Sequence, residues 1–444
     1  MNVLNSNKLN NLKQKYINDE KNIVVRNALL NTRISSLVQN QEQIKNNQNM
    51  FSIEIETMPV TYQKQSGRCW IFAACNILRE KIGKKYNIEN FELSQSYIAF
   101  YDKLEKCNYF LNIIEELMED SKNIEESQNE RTITYILERG IEDGGQWDMF
   151  VNIIEKYGVV PKNVFDETYQ SSNTGEINSL LNRLLRKYAS EISNTSNKEQ
   201  LKEKYLSDIF TILTNCYGIP PEKFDFEYKT KDKEYKIIKN ITPKEFYEKH
   251  IALDLTEYIS IINAPTKNKS FNELYTVKYL GNVVEGRNIT YLNLNIKEFK
   301  NLVIKQLKEK EPVWFGSDCV QFGDRKIGFW DVKAFDYNSF FTTDFNIGKG
   351  KMLDYRESAM NHAMVLTGVN LEEEKPTRWK IENSWGEENG YKGYYVASDE
   401  WVDKYVYQAV INKKYLTEEQ KKLLDKVPFE LEPWDPMGTL AFKI

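Results

Sequence analysis

Histidine is scarce in this sequence, which has two, His250 and His362, among 444 residues. Acid–base chemistry near neutral pH most often runs through imidazole, so the scarcity narrows the candidates at once. No apolar run approaches the roughly 18–20 residues needed to span a bilayer as a helix, and no membrane partner is expected. The opening Met1-Asn2-Val3-Leu4-Asn5-Ser6 is polar and lacks the apolar block of a secretory signal, which makes the cytoplasm the expected compartment. The five cysteines (Cys69, Cys75, Cys107, Cys216, Cys319) are odd in number and scattered. With no Cys-x-x-Cys pair and no Cys/His cluster at ligand spacing, neither a disulfide framework nor a zinc site is supported. The sequons at Asn194, Asn240 and Asn288 carry no weight in a chain without a secretion signal.

An excess of charge of one sign is missing too. Sixty basic against 65 acidic residues give a net charge of −5, so a general nucleic-acid binder is not expected. Lys229, Lys231, Lys233, Lys236 and Lys239 interleave with Tyr228 and Tyr235. Asp225, Glu227, Asp232 and Glu234 offset them, so a solvated helix or hairpin surface is the better reading. Gly348-Lys349-Gly350-Lys351 lacks the spacing and the Ser/Thr of a phosphate loop.

What is present builds a core. Apolar residues make up 41% and aromatics 13%, enough for a folded chain of two to four domains' size. From Cys69 to Tyr86, Trp70, Ala73, Ala74, Ile77, Leu78 and Ile82 recur at three- and four-residue steps, which predicts a buried helix opened by Ser66-Gly67. Helices are also expected over 94–119 and 146–157. Gln170–Gly175 reads as a linker, and residues 170–300 as a mainly helical block with some strand. Residues 1–60 read as polar helices ending in a short strand at 51–55. The last part changes character. Trp379–Asn383, Gly393–Val396 and Tyr405–Val410 are β-branched and aromatic, as strands are, so the chain is expected to be α+β.

Cys69 lies at the first turn of its helix, where the dipole favours thiolate, with Arg68 adding positive charge and Gly67 leaving the approach open. Cys75, Cys107, Cys216 and Cys319 read as ordinary core or inert cysteines. His362 enters an apolar strand, and Asn383 ends the next one. An amide oxygen accepting an imidazole N–H would fix the ring, and Trp385 would keep water off that bond. His250 ends a Lys- and Glu-rich helical stretch and reads as a solvated helix terminus.

In order, Gln63, Cys69-Trp70, His362-Ala363 and Asn383-Ser384-Trp385-Gly386 resemble the papain-like cysteine peptidases. The branch that contains bleomycin hydrolase, known in bacteria as aminopeptidase C, is the nearer match. Gly144-Gly145-Gln146-Trp147-Asp148-Met149, Ser172-Asn173-Thr174-Gly175 and Glu432-Pro433-Trp434-Asp435-Pro436-Met437-Gly438 carry that likeness. The resemblance implies a two-lobed papain-like fold, with a helical lobe carrying the cysteine and a β-barrel-like lobe carrying the histidine and asparagine. On this reading residues 1–60 are a helical extension, 61–169 the helical lobe and 170–300 a helical insertion used in assembly. Residues 301–428 are then the β lobe, and 429–444 a tail entering the cleft.

The resemblance further implies Cys69 as nucleophile, His362 as base and acid, Asn383 as orienting residue, and Gln63 as oxyanion donor. Gly144, Gly145 and Trp385 would bind substrate. The expected enzyme is a thiol aminopeptidase acting on peptides with a free amino terminus and on amides of bleomycin-like compounds. It needs no cofactor beyond a reduced thiol and is expected to assemble as a homohexamer. An acyltransferase such as a transglutaminase uses the same residue types, because an acyl-enzyme is also resolved by an amine. The ending departs from the family: Phe442-Lys443-Ile444 extend the usual small residues and would either be trimmed autocatalytically or block the cleft.

Overall fold

The expected helix forms as Cys69–Tyr86 in the computed structural model, which describes residues 3–45, 48–119 and 124–440. Every residue from 69 to 79 is buried, so the helix is central rather than one-faced. Asn87, in the left-handed conformation at φ +51°, closes it. Its start differs from the Ser66-Gly67 signal: Arg68 holds the cap position without a side-chain capping bond, so no side chain competes for the first-turn N–H groups.

Two further helices pack against it, Gln95–Leu117, capped by Ser94, and Trp147–Tyr157. Gly175–Ile192 and Lys198–Tyr217 cover the outer side of Gln95–Leu117. Leu181, Leu185, Tyr188, Tyr205, Ile209 and Leu213 join them to one apolar core.

On its other side the cysteine helix lies against a twelve-stranded sheet. In spatial order its strands are Phe429–Leu431, Glu273–Val277, Tyr291–Asn293, Tyr258–Ile262, Val406–Asn412, Val313–Ser317, His362–Glu372, Lys375–Glu382, Tyr394–Ser398, Phe329–Trp330 and Gly323–Asp324. Ile53–Glu54 pairs off this path with Gly368 and Val369. A second core, containing Trp379, Trp401 and Trp330, fills the far face of the sheet. The fold is α+β and papain-like, with His362 at the first position of one strand and Asn383 just beyond the end of the next.

Three local expectations are corrected. Gln170–Gly175 is no linker, because Tyr169–Ser172 is helical, Gly175 opens the next helix, and Ser171 and Thr174 are buried. The mainly helical block ends well before residue 300. Tyr258–Ile262, Glu273–Val277 and Tyr291–Asn293 are strands of the large sheet, where their alternating and β-branched residues find cross-strand partners. His250 is not a solvated terminus: its ring stacks on Phe246 at 5.6 Å and its Nδ1 bonds the Tyr86 hydroxyl. The lysine-rich stretch is a hairpin, Phe224–Lys229 paired with Tyr235–Ile241. Near the amino terminus the helices Ser6–Ile17 and Glu20–Leu29 carry no buried residue.

Candidate active site

The loop that delivers Cys69 is tied down residue by residue. The Gln63 amide donates to the Ser66 carbonyl at 2.6 Å, and the Ser66 hydroxyl returns a bond to the Gln63 carbonyl at 2.7 Å. Arg68 reaches Glu167 through two parallel bonds of 3.0 and 2.9 Å, a geometry that fixes direction as well as distance. The Gly67 N–H donates to Asp143 Oδ2 at 2.8 Å, and Lys103, Thr174 and Asn178 converge on the same carboxylate. Burial works to raise the Asp143 pKa, but the Lys103 ammonium and these donors hold it well below the usual carboxylate range. Residues 172–174 brace the loop from outside, with Gln65 N–H on the Ser172 carbonyl at 3.0 Å and Thr174 N–H on the Gln65 carbonyl at 3.4 Å.

Gly144 and Gly145 follow Asp143 and are fixed by the same cluster. Lys106 takes the Gly144 carbonyl at 2.6 Å, and the Trp70 indole N–H takes the Asp143 carbonyl at 2.7 Å. A Cβ on Gly145 would lie 2.6 Å from the Trp70 ring, so only glycine fits the loop this close to the cysteine helix.

His362 and Asn383 meet across the sheet. Imidazole Nε2 lies 2.8 Å from Asn383 Oδ1, and the Ser384 N–H donates to the same oxygen at 2.8 Å. A backbone N–H can only donate, so the atom facing the ring is the amide oxygen. Nε2 therefore carries the proton, and Nδ1 is the basic nitrogen. Trp385 stacks on the imidazole at 4.8 Å and 22°. Ala363 N–H points to Cys69 Sγ at 3.4 Å, which brings the thiol to the first turn of the histidine strand. Asn361 steadies that strand's entry through Asp318 at 2.6 Å and the Cys319 N–H at 3.1 Å. Gln63 joins the group from the other side, its Oε1 accepting from the Ser384 hydroxyl at 2.7 Å. Its Nε2 carries two hydrogens, of which Ser66 takes one.

Burial pushes the Cys69 thiol up to about 12, outweighing the backbone N–H groups of Ala363 and Trp70 that favour the thiolate. Burial likewise pushes His362 down to about 4; the Asn383 bond opposes the fall and Arg325 adds to it. Burial thus works against the thiolate that the helix dipole favours. Both groups are sealed from water, and desolvation is the largest cause of each shift. Among the described residues no group of three or more His, Cys, Asp or Glu side chains is arranged to hold a metal ion.

The carboxyl-terminal segment packs beside the entry to the histidine strand. Tyr291 donates to the Met437 carbonyl at 3.2 Å, Arg139 to Gly438 at 3.1 Å, and Gln146 to Thr439 at 3.1 Å. The Thr439 hydroxyl bonds the carbonyl of Met360, two residues before His362, at 2.8 Å. Phe442-Lys443-Ile444 lie outside the described residues.

Sequence reasoning missed Asp143, Lys103, Arg139 and Glu167, which bear on the site only through contacts distant in the chain. Asp143 directly precedes the glycine pair, the one local signal that pointed to it.

With a buried cysteine at a helix start, a histidine–asparagine pair and a stacked tryptophan in place, the comparisons agree on the class. The chain belongs to the Peptidase C1-like family, whose profile matches residues 3–438. It is an enzyme, a cysteine-type aminopeptidase of the hydrolase class. It is 48% identical over 403 residues to aminopeptidase C of Lactobacillus delbrueckii subsp. lactis, covering 88% of each chain. It is 38% identical to bleomycin hydrolase of Mus musculus, covering 99% of each. The crystal structure of pepw from Lactobacillus rhamnosis HN001 superposes with a TM-score of 0.95 at 46% identity, covering 99% of each chain.

Proposed function

We propose that this enzyme removes single amino-terminal residues from peptides by way of an acyl-enzyme on Cys69. The thiol attacks the first peptide carbonyl as its proton passes to His362 Nδ1. Asn383 keeps Nε2 protonated, and therefore Nδ1 free to receive. The second hydrogen of Gln63 Nε2 and the Cys69 N–H serve the oxyanion. As the C–N bond breaks, the leaving amine takes the proton from Nδ1. Water, deprotonated by Nδ1, then releases the amino acid and restores the thiol. Gly144, Gly145 and Trp385 border the substrate.

The observation that carries the exopeptidase reading is the anchorage of residues 437–439 beside Gln146 and Met360. A segment fixed there shortens the cleft on the side where the chain amino-terminal to the scissile bond would run. On this reading room is left for a single residue before the scissile bond, and a free α-amino group is required there. Amides of bleomycin-like compounds fall within the same chemistry, and the mouse relative bears that name.

The expected setting is the cytoplasm; among the described residues no helix is long and apolar enough to cross a membrane. A homohexamer is the proposed assembly. Leu12, Ile17, Val24 and Leu30 stand exposed on the amino-terminal helices, an apolar surface for a neighbouring copy to cover. Trimming of Phe442-Lys443-Ile444 is read from intact mass: equal full-length masses of wild type and Cys69→Ala exclude it.

The deciding experiment is hydrolysis of one fluorogenic aminoacyl amide with its α-amino group free or blocked. Cleavage of the free form alone, lost in Cys69→Ala, is expected. A variant ending at Gly438 is expected to accept the blocked form as well. Cleavage of both forms by the wild type removes the tail from the mechanism.

A further inference from the structure

Next to Gln63 and His362 the wall of the site is aromatic and carries two cations. Tyr62 and Trp385 are joined by an antiparallel bridge, and the Gly386 N–H donates to the Thr61 carbonyl at 3.1 Å, so the two rings belong to one ledge. The Arg325 guanidinium lies over the Trp385 indole at 4.3 Å, and the Lys64 ammonium over the Tyr62 ring at 3.8 Å. The backbone at Arg325 is held by the Tyr395 hydroxyl on its carbonyl at 3.0 Å. Lys64 sits at φ +56°, a left-handed conformation costly for a side chain other than Gly, Asn or Asp. Both side chains are exposed, and neither forms an ion pair with a carboxylate among the described residues. Asp324 directly precedes Arg325, but its carboxylate accepts from the Gln39 amide at 3.0 Å and from the Lys326 and Ile327 N–H groups at 2.9 Å each; Glu387 and Glu388 are exposed just past Gly386.

A cation resting on a ring is held by the negative face of the π system while the edge of the group stays free. A guanidinium in that posture still offers paired N–H donors to a carboxylate. The positive charge at this site therefore has a ring to position it and no anion of its own.

We propose that Arg325 and Lys64 form an anion-binding subsite on the leaving-group side of the cleft. It would favour short peptides whose free carboxylate follows closely after the scissile bond. The inference rests on the aminopeptidase reading, which puts the substrate's amine against the tail and its carboxyl end against this ledge. It deepens that reading by assigning a substrate class, dipeptides over amidated or extended peptides.

The test compares leucyl-glycine with leucyl-glycinamide in the wild type, Lys64→Gln, Arg325→Lys and the double variant Lys64→Gln/Arg325→Gln. The readout is the ratio of kcat/KM for acid over amide, which cancels any general loss of activity. Exposed charge pairs are worth up to about 1 kcal/mol, so the ratio should fall by about fivefold in the double variant. Arg325→Lys should keep most of it, and 1 M salt should erase the wild-type preference. An identical ratio in wild type and double variant overturns the subsite and leaves the aminopeptidase standing. Failure of the wild type to cleave either compound overturns both.

Discussion

The Arg79 guanidinium donates to the Glu382 carboxylate at 2.9 Å, with both side chains sealed from solvent. Asn76 donates to the same oxygen at 2.8 Å. Arg79 and Asn76 belong to the helix that begins at Cys69, and Glu382 immediately precedes Asn383. The two lobes of the site are thus joined by one buried charge pair, one residue away from the group that orients the imidazole.

Removing one partner of such a pair strands the other in a dry interior. Glu382→Gln should cost on the order of 3 kcal/mol or more of folding stability, read from urea unfolding. Replacing both, as Arg79→Met/Glu382→Leu, should recover much of that loss. A single variant within experimental error of wild type would mean that the pair contributes nothing.

His362 gives stability a pH dependence of fixed sign. Its pKa falls from 6.5 to about 4 in the folded protein, burial being the main cause. Above pH 6.5 the ring is neutral in both states and the contribution is fully present. As pH drops from 6.5 toward 4 the unfolded chain takes up the proton first, and about 3 kcal/mol is lost. His362→Asn should show a shallower decline over that window. Equal slopes in urea melts of the two proteins would contradict the assignment.

Gly145→Ala puts a methyl group against the flat of Trp70, and the indole cannot retreat because its N–H is held by Asp143. Overpacking of this kind costs about 1–3 kcal/mol. The variant should melt earlier and lose kcat/KM. Retention of both would show that the loop yields more easily than its bonding implies.

Periodicity located Cys69–Tyr86, Gln95–Leu117 and Trp147–Tyr157, because buried helices repeat their apolar residues locally. Cys69, His362 and Asn383 were legible from their immediate neighbours. The three strands between 258 and 293 were not. Each is only three to five residues long, and Tyr258–Ile262 and Glu273–Val277 pair with Val406–Asn412 and Phe429–Leu431, far away in the chain. The segment 170–175 was misread because its polar residues resemble a loop, although Ser171 and Thr174 are spent on buried bonds. The desolvation of Cys69 was also hidden, since burial is a property of the whole fold and the dipole of one helix.

Strand Val406–Asn412 lies between Tyr258–Ile262 and Val313–Ser317. The two halves of the sheet therefore meet only along a strand made almost last. During synthesis the edge strands wait on either side of a vacant seam until the chain is nearly finished. A chain cut short before residue 406 has neither the seam nor the tail segment, so nascent and truncated forms cannot possess the completed cleft.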